Sequence, residues 1–92
     1  MIRSFKSRAL RRYWEKNDGS KIAPEWLPRI SMILDLLDAA TEPSDLSLPG
    51  LELHGLKGTD RGRYAVKVTG NWRVTFGWQD GDATDVDLED YH

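Results

Sequence analysis

The chain contains no cysteine. That removes disulfide frameworks, thiolate zinc sites and cysteine nucleophiles together, and it fits a reducing compartment. No uncharged apolar run approaches the ~20 residues of a membrane span, and no apolar secretory core follows the N-terminus, so the chain reads as soluble and cytoplasmic with no membrane partner. The acid-free stretch from Met1 to Trp14 is basic enough to pass for a transit peptide, but its apolar residues are those that a first strand and helix require. Repeats, low-complexity tracts and long linkers are lacking too. The 92 residues therefore predict one domain, 1–92, with no room for a second catalytic unit.

Histidine is also scarce: His54 and His92 are separated by 37 positions, and together with scattered acids they make no zinc signature. Asp80, Asp82, Asp85, Asp87, Glu89 and Asp90 lack the loop-and-glycine spacing of an EF-hand. Gly58, Gly62 and Gly70 open no helix and form no phosphate-binding fingerprint. Neither a metal nor a cofactor is expected.

What is present suffices for one core: 39% of residues are hydrophobic, and there are four Trp, three Tyr and two Phe. The net charge of −2 is segregated along the chain. Residues 1–30 hold eight basic and three acidic side chains, 31–56 five acids and no Lys or Arg, 57–76 five basic and one acidic, and 77–92 six acids and no base. This balance argues against a general polyanion binder, whereas two basic blocks meeting in space would make a local phosphate site.

The pattern predicts an α+β fold. Ile2 to Phe5 reads as a short strand and Ser7 to Asn17 as a helix that Gly19 stops. A stronger helix runs from Pro24 to Ala40, with Trp26, Ile30, Ile33, Leu34 and Leu37 on one face. Thr41 to Gly50 is a connection. Leu51–Leu56, Arg63–Thr69, Trp72–Gln79 and Ala83–Glu89 read as strands, separated by turn sets at Gly58–Gly62, Gly70-Asn71 and Asp80-Gly81. Two helices then cover one face of a mostly antiparallel four- to five-stranded sheet.

Alternation aims Leu51, Leu53, Tyr64, Val66, Val68, Trp72, Val74, Phe76, Trp78, Val86 and Leu88 at the helices. Glu52, His54, Arg63, Lys67, Arg73, Thr75, Asp85 and Asp87 fall on the other side, which is expected to be polar and open. A strict two-residue loop at Gly70-Asn71 would mix the two faces, so a bulge or an odd-length loop is expected there.

Lys57 lies near His54, and the chain ends Asp90-Tyr91-His92 directly after an apolar strand. Imidazole, carboxylate, phenol and ammonium groups, with Arg63 and Arg73 on the same face, suit RNA cleavage. Without a metal, that reaction needs a base for the 2′-hydroxyl proton, an acid for the leaving 5′ oxygen and cations around the phosphorane-like transition state. A phenol can stack on a base or hydrogen-bond the phosphate.

The opening Met-Ile-Arg-Ser-Phe-Lys, the stretch Leu48-Pro-Gly-Leu-Glu-Leu-His-Gly-Leu-Lys-Gly58, the hairpin Val68-Thr-Gly-Asn-Trp-Arg-Val-Thr-Phe76 and the ending Asp90-Tyr-His resemble HigB-type toxins of the RelE/ParE superfamily. The resemblance spans nearly the whole chain. It implies a compact RelE-like fold and a ribosome-dependent endoribonuclease that cuts translated messenger RNA in the decoding site. It also implies catalytic roles for His54, Lys57, Arg73, Asp90, Tyr91 and His92, with Arg63, Lys67 and Asn71 on the substrate. The two histidines and Asp90 would carry acid–base chemistry, Lys57 and Arg73 would stabilise the phosphate, and Tyr91 would orient or stack on the substrate. The implied partners are a HigA-type helix-turn-helix antitoxin, the 70S ribosome and messenger RNA, with DNA bound only through the antitoxin.

One departure is the charge: ribosome-binding relatives tend to be basic, whereas this chain has pI ≈ 5.6. A gyrase-inhibiting toxin of the ParE branch and a non-catalytic protein-binding module share the same fold-level reading.

Overall fold

The computed structural model describes residues 1–91, and of Asp60 only the backbone. The first helix, α1 (Arg8–Lys16), begins where the Ser7 hydroxyl accepts the Leu10 N–H at 3.2 Å. It stops at Asn17, which takes the left-handed conformation at φ 54°, two residues before the expected glycine. Gly19 serves packing: a Cβ there would lie 2.8 Å from a Leu27 methyl.

The expected helix over 24–40 is divided. Pro28 has no N–H to give to the Pro24 carbonyl, which takes the Leu27 N–H one residue earlier and so makes a 3-10 turn over Pro24–Trp26. The second helix, α2 (Leu27–Ala39), then buries Ile30, Ile33, Leu34 and Leu37 completely.

Among the described residues, β1 (His54–Gly55), β2 (Arg63–Thr69), β3 (Trp72–Gln79) and β4 (Asp82–Asp90) form an antiparallel sheet in chain order. β1 is shorter than the run 51–56 that was expected, because Glu52 turns into the left-handed region at φ 51° and breaks the extended chain. The Leu51 carbonyl still accepts the Lys67 N–H at 2.7 Å. The expected N-terminal strand is reduced to two parallel bridges along β4, Ile2 to Ala83 and Phe5 to Val86.

Both hairpins carry two-residue loops. At Asp80-Gly81 both residues have positive φ, 53° and 84°, the turn whose twist matches the flanking strands. At Gly70-Asn71 the register slips between Lys67 and Thr69, and this is the expected bulge: Val68 and Trp72 both reach the helix side. A second slip, between Thr75 and Gly77, inserts Asp85 into β4 at φ 46°. Ala83 and Val86, three residues apart, are therefore both buried.

The core lies between this face and the helices. Phe76 is at its centre, stacked on Tyr64 at 5.7 Å and edge-on to Trp78 at 6.3 Å between ring centroids. The opposite face is less open than its polarity implies. Ala65, Thr75 and Gly77 are buried there, because Arg63 reaches over β3 to β4 and Glu89 reaches back to Thr75.

Charge closes the N-terminal edge. Arg3 donates to Asp82 at 2.9 Å and the terminal ammonium lies 3.3 Å from it, which holds the Asp82 carboxyl below its ordinary range. A carboxyl with a depressed folded value stabilises the fold above its unfolded value, about pH 4, and the contribution is lost as the pH falls through the folded value. Asp82→Asn should therefore lower the urea midpoint at neutral pH, and the gap to the parent should close on acidification. A gap that stayed constant from about pH 6 to about pH 2 would assign the effect to something other than these pairs.

Candidate active site

Register arranges the polar face in rows. One row is Lys67, Arg73 and Glu89; the next is His54, Ala65, Thr75 and Asp87; Arg63 lies opposite Gly77 in a third. His54 and Arg73 are thus two strands and one row apart, about 12 Å between backbones from ordinary sheet spacings.

The two arginines of this face are oriented without being neutralised. Arg73 donates through Nη1 to the carbonyls of Gly70 at 2.8 Å and Trp72 at 3.1 Å. Arg63 donates through Nη2 to the Thr75 hydroxyl at 3.1 Å and to the Asp85 carbonyl at 2.8 Å. Neither has a carboxylate within ion-pair distance among the described residues. Lys67 differs, since its ammonium pairs with Glu52 at 3.3 Å on an exposed surface. Lys57 is exposed in the loop that leads into a 3-10 turn at Gly58–Asp60.

His54 is exposed on β1, and its Nδ1 lies 3.1 Å from the Glu52 carbonyl. Donation from Nδ1 to that oxygen leaves the Nε2 lone pair facing solvent. The left-handed turn at Glu52 therefore orients the imidazole as well as ending the strand.

The end of the chain is tied to the β2–β3 hairpin, where the Asn71 carbonyl accepts the Tyr91 N–H at 2.7 Å. Asp90 pairs with Trp72 and, by alternation from Val86 and Leu88, falls on the helix-side parity, while half-buried Tyr91 shares the parity of Glu89. His92 lies outside the described residues. The structure thus brings His54, Arg63, Lys67 and Arg73 to one face, sets Lys57 in an adjoining loop and Asn71 in the adjoining turn, and places Asp90 at the strand end with Tyr91 directly after it. Among the described residues no three metal-ligating side chains converge.

Sequence reasoning did not single out the Thr75–Glu89 contact or the part played by Gly77. The usable signal was Gly77 itself, a glycine within an aromatic strand, which marks a close approach. Of the first basic block, Arg29 reaches the second, donating to the Lys67 carbonyl at 2.8 Å. Five of the eight cations of residues 1–30, Arg8, Arg11, Arg12, Lys16 and Lys21, line a recess along α1 in the helix layer.

The family described as "RelE-like toxin of type II toxin-antitoxin system HigB" matches residues 3–92. The chain is 39% identical over 92 residues to Endoribonuclease HigB of Proteus vulgaris, covering all of both chains. It is 30% identical over 91 residues to Toxin HigB-1 of Vibrio cholerae, covering 97% of this chain and 96% of the other. Among solved structures it resembles the YoeB-YefM complex from Staphylococcus aureus, with TM-score 0.62, 16% identity and coverage of 100% of this chain and 98% of that one. A YafQ variant from E. coli gives TM-score 0.64 at 16% identity, covering 98% of this chain and 93% of that one. With two helices over an antiparallel sheet and a match along nearly its whole length, the chain belongs to the HigB-like family of RelE-like toxins of type II toxin–antitoxin systems.

Proposed function

We propose that this toxin is a ribosome-dependent endoribonuclease that cuts translated message in the decoding site by acid–base catalysis. The observation that carries the reading is one sheet face with two guanidinium groups fixed by neutral acceptors and a histidine pinned through Nδ1. Cations held by carbonyls and a hydroxyl keep their full charge for phosphate, and the free ring nitrogen is the atom that exchanges a proton.

In this mechanism a base removes the 2′-hydroxyl proton, the 2′ oxygen bonds to phosphorus, and the 5′ oxygen leaves with a proton from the acid. The products are a 2′,3′-cyclic phosphate and a 5′-hydroxyl end. His54 and His92 divide these proton transfers, with Asp90 sharing or orienting the proton. Arg73 and Lys57 bear on the developing phosphorane charge, Tyr91 orients or stacks on a base, and Arg63, Lys67 and Asn71 hold the strand. The expected partners are a HigA-type helix-turn-helix antitoxin, the 70S ribosome and messenger RNA, in the cytoplasm, with DNA reached only through the antitoxin.

Mapping RNA ends on ribosomes paused on a defined message should show cuts in the decoding site, none on free message, and a loss of at least about 100-fold in His54→Ala and His92→Ala. Growth arrest without any cut would transfer the assignment to a gyrase-type or other protein target. Arrest and cleavage both absent would leave a binding module.

Glu52→Gln removes the exposed partner of Lys67. Stability should change by less than about 1 kcal/mol, as usual for exposed pairs. Binding to programmed ribosomes should tighten at low salt, with a log–log salt slope steeper by about 0.7 if Lys67 takes up one more phosphate contact. An unchanged slope would place Lys67 away from the RNA.

A further inference from the structure

We infer that Thr75 is a positioning residue for the reaction, fixing the Arg63 guanidinium as a phosphate clamp; this rests on the RNA-cleaving reading above. Arg63 starts on β2, opposite Gly77 of β3, and ends on β4, so it must cross the middle strand. It passes over Gly77, where a Cβ would meet Nη1 of Arg63 at an ordinary 3.6 Å but the Thr84 hydroxyl oxygen at 2.8 Å, so the glycine makes room for Thr84. At the far side the Asp85 bulge offers its carbonyl to Nη2 at 2.8 Å.

Between these points Thr75 is fully buried, and its single hydroxyl proton is given to Glu89. That donation fixes the rotor, so the hydroxyl lone pair points at Arg63 and accepts Nη2 at 3.1 Å. Both protons of Nη2 are thereby used. The two Nη1 protons of Arg63 have no acceptor among the described residues, and they are what a phosphate oxygen would meet. Glu89 is set back by its bond to Thr75, so its charge orients the clamp through a neutral hydroxyl and makes no ion pair with it.

The discriminating substitution is Thr75→Val, which keeps the shape and removes both hydrogen bonds. Thr75→Ser restores the hydroxyl. In nitrogen-15 NMR of the purified toxin, rotation of the Arg63 guanidinium about its Cζ–Nε bond should be slow in the parent and in Thr75→Ser, and fast in Thr75→Val. On programmed ribosomes Thr75→Val should raise KM about tenfold with little change in kcat, Thr75→Ser should restore it, and adding Thr75→Val to Arg63→Ala should cost nothing more.

A purely structural threonine would give additive losses and no serine rescue. Equal guanidinium rotation in parent and Thr75→Val, or full additivity with Arg63→Ala, overturns the inference. A parent that cuts no RNA on ribosomes removes the cleavage reading, whereas the NMR comparison still decides whether Thr75 fixes Arg63.

Discussion

Between Thr75 and Gly77 the β3–β4 ladder takes in one residue more on β4 than on β3, and the chain accommodates it by placing Asp85 in the left-handed region at φ 46°. Without that extra residue, Ala83 and Val86 would fall on opposite faces; with it, both are buried. The N-terminal segment is fitted to the same place. The Ser4 hydroxyl accepts the Asp85 N–H at 2.9 Å, the Ser4 carbonyl accepts the Val86 N–H at 3.1 Å, and the Val86 carbonyl accepts from Lys6 and Ser7. The polar face depends on it as well, since the displaced Asp85 carbonyl is where Arg63 ends. One inserted residue therefore joins core parity, the attachment of the N-terminus and the orientation of a cation.

Electrostatics divides the molecule along similar lines. Carboxylates are paired with cations mainly along the N-terminal edge and α1, as in Arg3 with Asp82, Arg11 with Glu15 and Arg12 with Asp18. On the polar sheet face the arginines take neutral acceptors instead. Acids do reach this face, as Glu89 and Asp87 of β4 and Glu52 beside Lys67, but none lies within ion-pair distance of Arg63 or Arg73 among the described residues. Charge averaged over a chain says little about a face built from β2 and β3.

The helices, three strands and both hairpins were legible because apolar periods and the Asp-Gly and Gly-Asn turns state them locally. The bulge beside Gly70-Asn71 was legible too, since strict pairing would have put Val68 with polar residues. The shortening of β1 was not, because nothing in Leu-Glu-Leu announces a left-handed glutamate at position 52. The division at Pro24–Trp26 turned on which N–H reaches the Pro24 carbonyl, a competition that face periodicity does not register. As for the site, alternation placed His54, Arg63, Lys67 and Arg73 on one face, and the family resemblance supplied their roles. The Arg63–Thr75–Glu89 contacts were hidden because they pass through the Asp85 carbonyl, and the run Asp-Ala-Thr-Asp-Val-Asp has no glycine to mark a bulge.

The way Arg73 is held has a further effect. Guanidinium groups as a class remain charged at any pH a protein tolerates, and the Gly70 and Trp72 carbonyls that accept from Arg73 bear no exchangeable proton. Acidifying or alkalinising the solvent alters neither partner of this anchor. An anchor made with a carboxylate would loosen in acid, and binding would then be entangled with chemistry in any titration of the enzyme. Here the anchor of Arg73 stays constant, so a change of pH leaves its two backbone hydrogen bonds as they are.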